Sequence, residues 1–155
     1  MKRLIFNKNN FFSTVVILFL TCFLGCEKGS KLNVNQRCKV EAKIGQDNDV
    51  VGKWKMIRGQ TAFHEQRTID FSCNNIIYDF QTDGTLSISS DTENLISLAS
   101  GKYKYELLFE PLEASNEEFT LQIDGLVTGS EISTDAMTIN HSYHDGPILH
   151  FVRVS

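Results

Sequence analysis

The chain has 155 residues, a length typical of one domain with a short appendage. Its formal net charge is −4, but residues 1–25 contain three cations and no acid. The remainder therefore has 12 Lys and Arg against 19 Asp and Glu, a net charge of −7. An acidic chain without a basic stripe repels phosphate backbones, so nucleic acid is excluded as an expected partner.

The first 25 residues have the three parts of an export signal. A basic start precedes an apolar run at residues 11–20, which is shorter than the ~20 residues of a spanning helix. The segment Phe23-Leu24-Gly25-Cys26 then resembles the lipobox of bacterial lipoproteins. An uncleaved signal anchor, or a secretory signal beside an unrelated cysteine, is the alternative.

The lipobox resemblance implies that residues 1–25 are a lipoprotein signal peptide and that Cys26 is the lipidation site. Acyl chains such as palmitate on Cys26 would hold the mature protein in a membrane, since each buried CH₂ contributes ~0.8 kcal/mol. In enterobacterial sorting, Glu27 after the cysteine implies the outer membrane. The expected localisation is thus the cell envelope.

Residues 26–49 are polar and contain only scattered aliphatic residues, so they are predicted to be a lipid-anchored tether. Beyond Cys26 the mature chain has only Cys38 and Cys73. Exported proteins meet oxidising conditions, which favours a disulfide between these two cysteines. A pair of buried, reduced thiols is the alternative.

From residue 50 to the C-terminus, short runs alternate apolar and polar residues, the pattern of strands with one buried face. The pair Asp83-Gly84 between two runs is a strong signal for a hairpin turn. Residues 60–72 lack the pattern and are expected to form a loop, and residues 90–93 resemble a helical capping box. Eight strands are predicted, at residues 50–57, 76–81, 85–89, 102–109, 119–123, 126–133, 137–139 and 149–153.

Two motifs in this region resemble lipocalin-like domains of Gram-negative envelope lipoproteins. Gly52-Lys53-Trp54 is similar to the Gly-x-Trp signature, and residues 76–86 are similar to a characteristic hairpin of these domains. The resemblance implies that residues 50–155 form an all-β, antiparallel, up-and-down eight-stranded barrel. It also implies that Gly52, Trp54 and Arg153 close one end, with Arg153 packed over the indole. An antiparallel β-sandwich is the structural alternative.

Residues for catalysis or metal binding are not evident, so the protein is expected not to be an enzyme and to need no cofactor. Gly-x-Ser-x-Gly and the glycine-rich phosphate-binding motifs are absent from the sequence. His141 and His144 stand three positions apart, and on a strand such residues point to opposite faces. Zinc needs three or four converging ligands, so no metal site is predicted here.

The predicted barrel interior is rich in aromatic residues, and eight-stranded barrels have room for packed side chains or one small ligand. Eight aromatic residues are expected to face inward: Trp54, Tyr78, Phe80, Tyr103, Tyr105, Phe109, Phe119 and Phe151. The expected lining of a ligand pocket is Met56, Tyr78, Phe80, Tyr103, Tyr105 and Leu107. Two functions follow: a membrane-anchored lipoprotein that binds a small hydrophobic ligand, or a filled barrel that binds an envelope protein or serves a structural role.

Overall fold

The computed structural model describes residues 37–61, 67–93, 96–111 and 117–155. The predicted signal segment, Cys26 and the start of the predicted tether lie outside these residues. The described residues contain nine strands: β1 (Gly52–Gln60), β2 (Thr68–Asp70), β3 (Ile77–Phe80), β4 (Thr85–Ser89), β5 (Gly101–Leu108), β6 (Phe119–Ile123), β7 (Leu126–Ile132), β8 (Ala136–Asn140) and β9 (Ile148–Arg153). Among the residues described, no helix has the length and apolar character needed to cross a membrane.

The strands form one antiparallel sheet that closes on itself. Their order is β2-β1-β3-β4-β5-β6-β7-β8-β9, and β9 also pairs with β1. The closed barrel thus has eight strands, and β2 is an extra strand beside β3 on the same edge of β1. The predicted antiparallel eight-stranded barrel is confirmed, and the sandwich alternative is wrong because closure leaves a single continuous sheet.

Period-two alternation places one face of each strand in the core. On β3, Tyr78 and Phe80 are buried while Ile77 and Asp79 are only partly covered. On β1, Ile57 is an extra residue in the pairing with β9, so the strand contains a β-bulge. The bulge shifts the alternation by one residue, so the buried positions are Trp54 and Met56 before it and Ile57 and Gly59 from it onward.

Three sequence-based expectations are wrong in detail. Residues 60–72 were expected to be a loop, but residues 68–70 pair with the end of β1. The capping-box segment does not start a helix within the described residues, since Asp91 and Thr92 form a bend. Phe109 is 71% exposed rather than inward, because β5 ends one residue before it.

Residues 37–49, which we call the strap, run across the outside of the barrel without forming a helix or strand. The Cys38–Cys73 disulfide joins the strap to the connection between β2 and β3, which confirms the predicted pairing. The backbone N–H of Arg37 also donates to the Asp70 carboxylate. Partial burial raises the pKa of Asp70, but hydrogen bonds from the Ser72 and Arg37 N–H groups outweigh it and leave the pKa below its usual value.

Candidate functional site

One end of the barrel is built around Trp54, whose side chain is fully buried. Its indole Nε1 donates to the carbonyl oxygen of Val50 at 2.7 Å, which satisfies its only polar atom. The guanidinium carbon of Arg153 lies 4.2 Å from the ring centroid. A cation over an indole at this distance contributes about 0.5–2 kcal/mol.

Arg153 is itself held by the backbone that precedes β1. Its Nη1 donates to the carbonyl oxygen of Val51 at 2.7 Å, and Nη2 donates to the carbonyl oxygen of Asp49. Burial lowers the pKa of Arg153, and the carboxylate of Asp49 acts in the opposite direction. The guanidinium stays charged, because even a lowered arginine pKa lies far above neutral pH.

The strap forms the outer layer of this end. The N–H groups of Lys43 and Gly45 donate to the carbonyl oxygens of Arg153 and Thr134 at 2.8 and 2.7 Å. A Cβ atom on Gly45 would lie 2.4 Å from Arg153 Nε, so the strap backbone rests directly on the guanidinium. This end therefore has three layers: the indole, the guanidinium and the strap.

Gly52 has a conformational reason to be glycine at the start of β1. Its φ is +128°, a region that residues with a side chain rarely adopt. A Cβ atom here would also lie 2.7 Å from the carbonyl oxygen of Ser155. The signature glycine thus lets the C-terminal residues cross the start of β1 and close the barrel.

The opposite end is covered by the connection between β4 and β5. The N–H of Leu98 donates to the hydroxyl of Tyr78 at 3.3 Å, and the hydroxyl of Tyr103 donates to the carbonyl oxygen of Ala99 at 2.7 Å. A Cβ atom on Gly59 would meet Ile96 Cδ1 at 2.1 Å, so the same connection reaches into the barrel mouth. A depression of about 530 Å³ lies in this connection, and its described lining includes Leu98, Ala99 and polar residues of the connection, without the inward side chains of the strands.

Between the two ends, aromatic rings pack against one another in the described interior. The ring of Tyr78 lies 4.8 Å from that of Phe151, and the ring of Phe80 lies 4.9 Å from that of Tyr105 in an edge-on arrangement. Burial raises the pKa of Tyr78 to about 12. Burial, followed by the carboxylates of Asp49 and Asp83, also raises the pKa of Tyr105. Both tyrosines are therefore neutral; Tyr78 belongs to the core cluster and Tyr105 packs against it.

The six residues predicted to line a ligand pocket fall into two groups. Met56, Tyr78 and Phe80 are at most 1% exposed and belong to the packed core. The three inward residues of β5 are half-buried and pack against the edge of that core: Tyr103, Tyr105 and Leu107. The hydroxyl of Tyr105 donates to the carbonyl oxygen of Gln81 at 2.7 Å, so it is already satisfied by the backbone.

Sequence reasoning missed a small polar patch inside the barrel on β7. Thr128 and Ser130 are fully buried, and their hydroxyls donate to the carbonyl oxygens of Asn140 and Phe119 at 2.6 and 3.4 Å. The alternation of Thr128 and Ser130 with Gly129 and Glu131 was the available signal. The barrel wall accepts the proton of each hydroxyl.

Two histidines are held neutral by burial. Desolvation lowers the pKa of His141 to about 4, with a smaller effect of His144. Desolvation also lowers the pKa of His150 to about 4, helped by the charge of Arg58 on the neighbouring strand. Within the described residues, no three His, Cys, Asp or Glu side chains converge as a metal site would require.

No protein-family model, curated protein or solved structure matches this chain. The site must therefore be interpreted from its own residues and geometry.

Proposed function

We propose that the protein is a lipid-anchored lipoprotein of the cell envelope, of lipocalin-like type, whose filled barrel acts through its outer surface and loops on an envelope partner. The carrier function, in which the interior holds a small hydrophobic ligand, is the less favoured alternative. The anchor is argued from the lipobox-like segment at Cys26 alone, with the outer membrane as the expected membrane.

The observation that carries this choice is the packing of Tyr78 against Phe151 and of Phe80 against Tyr105. Ligand pockets usually combine an apolar lining with a few polar groups that converge on the ligand. In the described interior, the hydroxyls of Tyr78, Tyr105 and Thr128 instead meet backbone groups of the protein. This arrangement supports a structural core more than a binding cavity.

Native mass spectrometry of the mature chain tests the choice between the two functions. We expect residues 27–155, expressed in an oxidising compartment, to have the bare mass less the two hydrogens lost in the disulfide. An extra mass that denaturation releases would overturn the filled-barrel proposal and identify the ligand.

A fluorescent dye that responds to apolar pockets provides an independent readout. We expect no saturable binding to the native chain, and no change on Tyr105→Ala beyond that of the matched surface variant Phe109→Ala. Saturable binding that Tyr105→Ala alone abolishes would favour the carrier function.

The anchor is tested separately by measuring the mass of the N-terminal peptide of membrane-extracted protein, where an unmodified Cys26 would exclude it.

A further inference from the structure

Charge is strongly segregated along this chain. From Tyr105 to Val152 the sequence has nine Asp and Glu and no Lys or Arg. This stretch forms the end of β5, all of β6 to β8 and β9 up to its last residue. We call the outer surface of β6 to β8, with its connections, the acidic wall; its described acidic residues are Glu110, Glu117, Glu118, Asp124, Glu131, Asp135 and Asp145.

The other side of the barrel has the opposite character. Four lysines lie on β1 and the first half of β5 at outward positions that alternate with the buried or half-buried Trp54 and Tyr103. We call the outer surface of β1, β3, β4 and this half of β5 the lysine wall; its lysines are Lys53, Lys55, Lys102 and Lys104. All are exposed except Lys55, which is half-buried.

The register of the sheet places these lysines on one continuous face. Lys53 pairs with Asp79, Asp79 with Ser87, and Ser87 with Lys102. Three strand spacings of about 4.8 Å separate the ends of this row, so Lys53 and Lys102 lie roughly 14 Å apart. A shallow depression of about 330 Å³ with Lys53, Ser87 and Ser89 in its lining lies between them.

The strap meets the barrel close to this wall. Cys38 is bonded to Cys73, and Asn75, two residues further along the chain, accepts a hydrogen bond from Lys55 Nζ at 3.4 Å. Cys38 lies only 12 positions after Cys26 in the sequence. A fully extended chain of that length spans at most about 40 Å, so an anchor at Cys26 would hold Cys38, and with it the barrel, within that distance of the bilayer.

We propose that the lysine wall docks on the anionic lipid surface that holds the anchor, so that the acidic wall faces away from the membrane. The proposal rests on the proposed anchoring through Cys26. Anionic headgroups attract the four lysines and repel the acidic wall, so charge complementarity favours a single orientation. The acidic wall and its loops are then the surface presented to a partner.

The attraction between the lysine wall and an anionic membrane is weak for a free protein, but it is sufficient to orient a tethered one. Each lysine close to an anionic surface raises the partition coefficient on the order of fivefold. Neighbouring carboxylates offset part of this gain: Asp79 beside Lys53, and Asp83 and Asp124 beside Lys104. A short tether supplies an effective concentration on the order of millimolar, which converts weak docking into a stable orientation. Salt reduces the effect, because the Debye length falls from ~30 Å at 0.01 M to ~10 Å at 0.1 M.

Vesicle co-sedimentation of the mature chain, residues 27–155 without acyl groups, tests the docking surface. We expect binding to phosphatidylcholine vesicles that contain phosphatidylglycerol at low ionic strength, and little binding to pure phosphatidylcholine. Lys102→Gln with Lys104→Gln is expected to weaken the partition coefficient by roughly 30-fold. The matched control, Lys39→Gln with Lys43→Gln, removes the same charge from exposed strap positions and should weaken it by less than about threefold.

Equal losses in the two double variants would show that net charge alone drives binding and would overturn the proposal. Absence of binding by the parent chain to the anionic vesicles would overturn it as well. Thermal melting of each variant ensures that the barrel is intact in the comparison. Because this chain has no acyl anchor, either failure is distinct from a failure of acylation at Cys26, which the mass of the membrane-extracted protein measures.

Discussion

The end of the barrel at Trp54 and the end at the Tyr78 hydroxyl are both covered, but by parts of the chain that differ greatly in sequence separation. At the first end, Arg153 bonds to carbonyl groups 102 and 104 residues away. At the second, the covering connection bonds over 20 residues to Tyr78 and over 4 residues from Tyr103. The first end can form only when the whole barrel has closed, whereas the second can open locally.

Because of this difference, the two ends should affect different quantities: the Trp54 end the free energy of global unfolding, and the other end the free energy of local opening. Segments with few long-range contacts open with a smaller free energy than the core, while contacts between distant segments contribute to global unfolding. Substitutions at the Trp54 end should therefore lower the free energy of unfolding of the whole domain. Substitutions at the other end should mainly increase local opening of the connection between β4 and β5.

The largest effect is expected for Trp54→Ala at the first end. Truncation of a fully buried tryptophan removes its packing, its hydrogen bond to Val50 and the surface on which Arg153 rests. We expect a loss of about 3–5 kcal/mol in the free energy of unfolding, measured by urea denaturation. Ile44→Ala, at a position that is 86% exposed, is the control and should change it by less than about 0.5 kcal/mol. Comparable losses in both variants would refute the contrast drawn here.

Removal of the disulfide tests the strap's share in closing the same end. Cys38→Ser with Cys73→Ser opens a loop with a sequence separation of 35, for which the chain-entropy estimate is about 3–4 kcal/mol. We expect this destabilisation in urea, together with faster proteolysis within residues 39–49. If the double variant unfolds at the same urea concentration as the parent chain, the disulfide does not stabilise the domain.

Acid should weaken the fold through its two neutral histidines. The pKa of each is about 4 in the folded protein and about 6.5 in an unfolded chain, so between these pH values only the unfolded chain binds the protons. The contribution of these two histidines to the free energy of unfolding is therefore complete above about pH 6.5 and is lost as the pH falls towards 4. From pH 7 to pH 5 we expect a loss of about 2 kcal/mol for each histidine.

The variant His150→Gln separates the two contributions to the pH dependence of stability: that of His150 on β9 and that of His141 in the turn between β8 and β9. Urea denaturation at pH 7 and pH 5 should show about half of the parent chain's loss. The low pKa of Asp70 does not enter this window, because its carboxylate titrates below its usual value of 3.8. An unchanged pH dependence would indicate that folding does not lower the pKa of His150.

The smallest effect is expected for Tyr78→Phe at the second end. The variant keeps the ring that packs on Phe151 but removes the acceptor for the Leu98 N–H. We expect the free energy of local opening to fall by about 1 kcal/mol, seen as faster hydrogen exchange at Leu98, with unchanged exchange at the Trp54 indole. Slower exchange at Leu98, or equal acceleration at Trp54, would contradict local opening.

The sequence determined most of the strands and their turns, because these depend on neighbouring residues. Alternation along β3, β4 and β5 identifies the buried face, and the Asp83-Gly84 pair suits a turn in which Gly84 has a φ of +78°. The ordered positions of Gly52, Trp54 and Arg153 also anticipated the contact at the closed end. Exposure at strand ends was less predictable, since Phe109 follows the alternation of β5 yet lies beyond its last residue.

Only the tertiary structure decided that the sheet closes, where the strap lies and how the charges divide. The pairing of β1 with β9 joins residues about a hundred positions apart, and the same alternation would suit an open sandwich. The strap has no periodic pattern, so its place follows from hydrogen bonds to Arg153 and Thr134 that no local rule predicts. The acidic stretch is visible in the sequence, but it becomes a wall opposite the lysines only because the strands that contain it are neighbours in the closed barrel.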